Sequence, residues 1–137
     1  MKKQTFIVSE NIPTVEEYLH LRKMGGLSAK SIEGAKIGLS NSYFAITVKD
    51  DNQLIAMGRI IGDGGTVFQL VDIVVEPSYQ GRGLGKLVME HLMTYVKETI
   101  DPQAYVNLIA DGKAKDLYTQ YGFIETLPNS CGMFYKR

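Results

Sequence analysis

Seven consecutive residues, Gln80-Gly81-Arg82-Gly83-Leu84-Gly85-Lys86, have the types and spacing to hold a phosphate group. Their three glycines let backbone N–H groups come close to a ligand. From Leu84 within the stretch onwards, Leu84, Leu87, Val88, Leu92 and Val96 recur at helical spacing. The loop therefore opens a helix, and its amides stand at the positive end of the helix dipole. Arg82 and Lys86 add positive charge at the same place. Two familiar phosphate loops fail against it. The nucleotide P-loop needs Gly-Lys followed by Ser or Thr, and here Leu87 follows Gly85-Lys86. The dinucleotide fingerprint accepts Gly81 and Gly83 but needs a third glycine where Lys86 stands. In front of the loop, Val71-Asp72-Ile73-Val74-Val75 reads as a buried strand, rich in β-branched residues and stopped near Pro77.

The spacing Gln80-x-x-Gly83-x-Gly85 resembles the coenzyme A loop of the GNAT acetyltransferase superfamily. Ile73-x-Val75-x-Pro77 resembles that family's fourth strand. Tyr118, three residues before Tyr121-Gly122-Phe123, sits as in the family's late signature. The likeness covers Thr66 to Phe123 with specific motifs, whereas residues 1–65 match in element order alone. It implies transfer of an acetyl group from acetyl-CoA to a primary amine. The backbone of Ile73, Val74 and Val75 would face pantetheine. Gln80, Gly81, Arg82, Gly83, Leu84, Gly85 and Lys86 would cradle the pyrophosphate. Asn107, on the next strand, is a further candidate contact to pantetheine or substrate. Tyr118 would hydrogen-bond the sulfur and act as general acid.

The implied chemistry sets two energetic demands. A thiol titrates at about 8.5 and a tyrosine at about 10, so full proton transfer to the leaving thiolate is uphill by roughly 2 kcal/mol. A hydrogen bond that strengthens as the sulfur gains charge suffices. An alkylamine acceptor must also lose a proton, at about 4.6 kcal/mol at pH 7. Asp72 is the expected catalytic carboxylate, with a structural role as its other reading; Glu76, Asp63 and Glu33 are further candidates, and a water relay is the alternative. The chain departs from the family where a glutamate often precedes the Ile73 position, since Gln69 and Val71 occupy that region. It departs again where an asparagine commonly opens the late helix, since Asp111 stands there.

The elements that must position these residues are legible in outline. A strand is expected at Thr5 to Ser9, then a helix capped by Thr14 and ending near Gly25-Gly26. A second helix follows with Ser28 as its cap, weakened by Gly34 and Gly38. Ser42–Lys49, Gln53–Ile61 and Thr66–Val75 form an antiparallel meander with turns at Asp50-Asp51-Asn52 and Gly62-Asp63-Gly64-Gly65. The long helix ends before Asp101-Pro102, Ala104–Ala110 is the fifth strand, and a short helix carries Leu117 and Tyr118. Ile124–Thr126 and Met133–Tyr135 read as two final strands. The expected fold is α+β and GNAT-like: a mixed, mostly antiparallel sheet of six to seven strands, about four helices, and strands four and five splayed apart.

Composition narrows the function classes. The 137 residues suit one domain, 1–137, and are 45% hydrophobic. Fifteen basic and fifteen acidic residues cancel, so no global field favours nucleic acid or an anionic membrane. The start, Met1-Lys2-Lys3-Gln4, is basic, but Phe6-Ile7-Val8 is too short for a signal-peptide core. One cysteine, Cys131, excludes an intrachain disulfide and agrees with a cytoplasmic location. His20, His91 and Cys131 form no metal-ligand spacing, so no metal is expected. The expected partner is a small-molecule amine, enclosed by the glycine-interrupted segment Gly25–Gly38; a homodimer stays open. The alternatives are a protein N-acetyltransferase and a non-catalytic acyl-CoA sensor. A nucleotide-binding role is disfavoured by the failed fingerprints.

Overall fold

The computed structural model describes residues 5–137, so the basic start Met1–Gln4 lies outside the described residues. Five strands form one sheet in sequential order: β1 (Phe6–Ser9), β2 (Phe44–Asp50), β3 (Gln53–Gly62), β4 (Val67–Val75) and β5 (Tyr105–Leu108). The first four pair antiparallel, and β4 pairs with β5 in parallel. A parallel neighbour needs a crossover, which α3 (Leu84–Thr99) supplies. Its Leu84, Val88, Met89 and Leu92 are buried on the sheet, at about 2 kcal/mol of hydrophobic stabilisation each. Gly58 permits this approach, because a Cβ there would lie 2.8 Å from Val88 Cγ1.

The opposite face of the sheet carries α1 (Val15–Met24) and α2 (Ile32–Ser40). Thr14 and Glu17 form a capping box on α1, each accepting from the other's backbone N–H at 3.1 and 2.9 Å. Ser31 caps α2 by accepting from the Gly34 amide at 3.0 Å. The expected cap Ser28 lies outside the helix, where its carbonyl and hydroxyl serve Arg22. Tyr18, Leu21, Ala35 and Leu39 bury against Leu54, Met57 and Val74. With both faces covered, Ala45 to Val48 are all buried and the simple alternation expected of a half-exposed strand is lost.

Two features of β4 build the site. The β4–β5 ladder runs only from Val67/Tyr105 to Leu70/Leu108, while β4 continues to Val75. Beyond Leu70 the two strands part, as expected. The β3–β4 ladder also slips there: Arg59 opposes Val71 and Met57 opposes Val74, so Asp72 and Ile73 together face Gly58. This is a β-bulge, and Asp72 carries its positive φ of 57°. The inserted residue turns Asp72 towards α1 while Ile73 packs with the α3 side.

The count of six to seven strands is corrected to five among the described residues. Ile124–Thr126 and Met133–Tyr135 join no ladder among the described residues, and Ile124, Met133, Phe134 and Tyr135 are more than 85% exposed. Their β-propensity is a preference for a pleated, half-buried surface, and it has no effect without a neighbouring strand. A short α4 (Lys115–Thr119) precedes them, closed by Gly122 at φ 92°.

Candidate active site

The cofactor loop takes the form its glycines allow. Gly83 is left-handed, φ 78°, and is the N-cap of α3, where no described side chain caps the helix. The first intrahelical bond runs from the Leu87 amide to the Gly83 carbonyl at 3.0 Å, so the amides just before it point out of the helix end. Gln80 braces the loop by donating to the Val75 carbonyl at 3.3 Å. Arg82 lies over the Tyr79 ring at 5.1 Å, and Tyr79 in turn donates to Asp50. Leu84 contributes a buried side chain to the core, leaving its backbone to the loop. Lys86 holds the turn after α4 through its carbonyl, which accepts from the Tyr121 hydroxyl at 3.1 Å.

That contact links the loop to Tyr118. A Cβ on Gly85 would stand 3.3 Å from Leu117 Cδ2, so the first turn of α3 packs directly on α4. Tyr118 is 8% exposed and lines a cavity of about 620 Å³ in the gap between β4 and β5. Its ring meets Phe123 edge-on at 6.5 Å. Burial, then the negative field of Asp111, pushes its hydroxyl above the ordinary tyrosine value. The group is therefore a neutral donor across the physiological range.

Asp72 and Ile73 line the same cavity. The Asp72 side chain is 6% exposed and fully engaged. Oδ1 accepts from Arg22 Nη1, while Oδ2 accepts from Arg59 Nε at 2.8 Å and from the Tyr18 hydroxyl at 3.0 Å. The two guanidinium groups lie 5.7 and 5.5 Å from the Tyr18 ring centroid. Tyr18's own titration is raised, by burial first and then by Asp72. Arg22 ties the network to the α1–α2 connection through the Ser28 carbonyl at 2.9 Å. Arg59 reaches the Gly38 carbonyl at 3.0 Å and the Ser42 hydroxyl at 2.8 Å.

The remaining expected residues divide. Asn107 stands opposite Gln69 where β4 and β5 still pair, accepting from its side chain at 3.1 Å. It lines a second cavity of about 520 Å³ that shares Arg59, Ile61 and Gln69 with the first. Val74 turns its side chain into the α1–α2 core. Glu76, Asp63 and Glu33 line neither cavity. Glu76 caps the turn Pro77–Tyr79 by binding the Ser78 amide. Asp63 is bound by the amides of Gly65, Thr66 and Val67 and by the Thr66 hydroxyl, which hold its carboxyl far below the usual range. Glu33 pairs on the surface with Lys36 at 3.4 Å. Among the described residues no group of three potential ligands gathers for a metal, and no helix is long and apolar enough to cross a membrane.

Sequence reasoning missed Tyr18, Arg22 and Arg59. Arg59 was signalled: it is the one charge in the apolar run Leu54–Ile61, which demands a buried partner. Arg22 falls on the inward stripe of α1 with Val15, Tyr18 and Leu19, which is the same kind of sign.

Residues 27–132 match the family model described as an acetyltransferase (GNAT) domain. The chain belongs to the GNAT acetyltransferase family. Its fold is also that of a Staphylococcus aureus protein of unknown function described as a probable acetyltransferase. The two are 50% identical, with a TM-score of 0.92 over 97% of this chain and 100% of that one. An uncharacterized N-acetyltransferase ycf52 of Pyropia yezoensis is 28% identical over 97% of this GNAT chain and 78% of its own length. A [ribosomal protein bS18]-alanine N-acetyltransferase of Haemophilus influenzae is 27% identical over 85% of this chain and 75% of its own. The chain spans 62% to 78% of the length of the three ycf52 relatives.

Proposed function

We propose that this GNAT chain transfers the acetyl group of acetyl-CoA to the primary amine of a small molecule by direct attack. The observation that carries the reading is the packing of α3's open N-terminus against α4, which sets a buried, neutral Tyr118 beside the gap between β4 and β5. Pyrophosphate would bind the amides of Gly81 to Lys86, with Arg82 and Lys86 adding charge. Pantetheine would run along β4 from Val75 towards Ile73, where the strand has no β5 partner. Asn107 would contact it where the strands begin to part.

The amine nitrogen attacks the thioester carbonyl and forms the C–N bond. The C–S bond then breaks, and the electron pair leaves on sulfur. Tyr118 donates its hydrogen bond to that sulfur, strongest as negative charge develops. The acceptor ammonium gives one proton to water before attack, and the proton left on nitrogen after the C–N bond forms follows the same route. Asp72 acts as a positioning residue: its carboxylate is held by two guanidinium groups and a hydroxyl, which suits an anchor better than a proton acceptor. Of the expected wall, residues 25–38, Gly26, Leu27, Ser28 and Lys30 line the cavity.

A thiol-release assay with acetyl-CoA and an amine panel tests the reading. Acetylation of a small amine, lost in Tyr118→Phe, supports it. The Haemophilus relative's name favours a second reading, a protein N-terminal acceptor. Efficient acetylation of a folded protein with no activity on small amines would establish that one. Tight acetyl-CoA binding without any transfer would identify a sensor.

A further inference from the structure

We infer that the acceptor carries an anionic group, carboxylate or phosphate, and that Arg59 binds it. The inference deepens the proposed acetyl transfer and rests on that reading for the identity of the bound molecule. Arg59 is a buried arginine with unfinished pairing. Its side chain is 8% exposed. Nε is used by Asp72, and Nη1 by Gly38 and Ser42. Nη2 makes no hydrogen bond among the described residues, and it is not among the fully enclosed atoms, all of which have partners. Arg59 lines both cavities and a smaller one beside Tyr18 and Leu39, so Nη2 is the donor left for a bound anion.

Charge points the same way. Arg22 and Arg59 share one carboxylate, Asp72, so the buried network holds one positive charge in excess. The cavity wall adds Lys30 and Asp111, giving three cations against two anions. Burying an unmatched guanidinium is unfavourable unless an anion completes it. A purely structural clamp between α1, β3 and β4 needs one arginine for one aspartate. The second finds neutral oxygens from the protein and keeps a free pair of N–H donors. Those donors suit a carboxylate or phosphate oxygen.

Placement makes the charge useful. Arg59, Ile61 and Gln69 line both cavities, so the anion would sit at their junction. The acceptor's amine would then extend into the first cavity, towards Tyr118. A polyamine would meet like charge there, whereas an amino acid or an amino phosphate would be fixed at one end and reactive at the other.

The test is calorimetric binding to the CoA-loaded chain, using matched pairs. Each common amino acid is offered beside its carboxamide, and phosphoethanolamine beside ethanolamine. At least one anionic member should bind about 10-fold or more tighter than its neutral partner, as expected when a desolvated charge pair forms. The carboxylate and phosphate arms separate the two sources. Arg59→Gln, confirmed to be folded and to bind CoA, should bring the pair within about 2-fold. Lys30→Gln, an exposed change that spares the fold, should reduce the preference several-fold in the same direction. Equal binding of acid and amide in the unaltered chain, or no binding of any anionic amine, would overturn the inference. So would a preference that survives folded Arg59→Gln. If Arg59→Gln does not fold, Arg59→Met, which keeps the apolar stem without the charge, and the wild-type pairs decide on the same criterion. Acid preference without thiol release would keep this inference and sink the acetyltransferase reading.

Discussion

Arg59 and Asp72 meet on neighbouring strands, 2.8 Å apart, where the β4 bulge brings Asp72 to the α1 side of the sheet that Arg59 already faces. Without the extra residue, strand alternation would send position 72 towards α3, with Phe68 and Leu70. The bulge thus buries a carboxylate between two arginines, next to the stretch of β4 beyond Leu70 that has no β5 partner.

Removing that carboxylate should be costly. Asp72→Asn leaves Arg22 and Arg59 buried with no anion between them, a loss of about 3–5 kcal/mol. Urea unfolding should show it as a lower midpoint with an unchanged slope. Acceptor KM should rise while the shape of the pH–rate profile stays the same. A profile that loses its acid limb, with stability intact, would make Asp72 the base instead of the anchor.

Tyr118→Phe keeps the ring against Phe123 and removes only the hydroxyl. Turnover should fall by about 10²-fold or more with acetyl-CoA affinity little changed. An unchanged turnover number, with chemistry shown to limit it, would return Tyr118 to packing. The raised hydroxyl pKa fixes the sign of its pH effect. The donor is intact through neutral pH, and activity carried by it declines only as pH rises past the ordinary tyrosine value of about 10. The stability linked to its burial runs the same way, present below that value and lost as pH climbs through the raised one.

Gly83→Val tests the cofactor loop. Outside its own stretch of chain, no described atom stands within 4 Å of a Cβ at this position, so the substitution meets no clash with the rest of the fold. The strain comes from φ 78°, which costs an L-residue about 1–2 kcal/mol. Acetyl-CoA binding should weaken while the fold survives. Unchanged calorimetric affinity in a folded variant would remove the loop from the cofactor site.

How far the sequence carried these features depends on their range. The loop, its helix and Tyr118 were legible because each rests on local rules: glycine freedom, helical spacing and a short interval to Gly122-Phe123. The bulge was not, because an inserted residue looks like any other member of Val71–Val75 until β3 is laid beside it. Ser28 and Ser31 both precede apolar helical spacing, and only the Gly34 amide chooses between them. The final strands failed for the same reason as the bulge: Met133–Tyr135 have the propensity, but no strand lies alongside. Arg22 and Arg59 were visible as charges in apolar patterns, yet their shared partner is far away along the chain.

The wall of the cavity should tighten around the acceptor. Gly26 has φ 76°, and Ala29 and Lys30 are exposed, so the connection from α1 to α2 has backbone freedom to lose. One end is already tied, since Arg22 donates to the Ser28 carbonyl from both Nε and Nη2. The other end is the short α2, which Gly34 and Gly38 weaken. An acceptor seated against Arg59 would contact this connection and order it. Hydrogen exchange, read with acetyl-CoA alone and then with a confirmed acceptor added, should show new protection within residues 25–38. Arg22→Lys should blunt that protection, because a single ammonium cannot hold Asp72 and Ser28 together. Protection confined to residues 80–86, with 25–38 unchanged, would refute enclosure and leave the acceptor in an open groove.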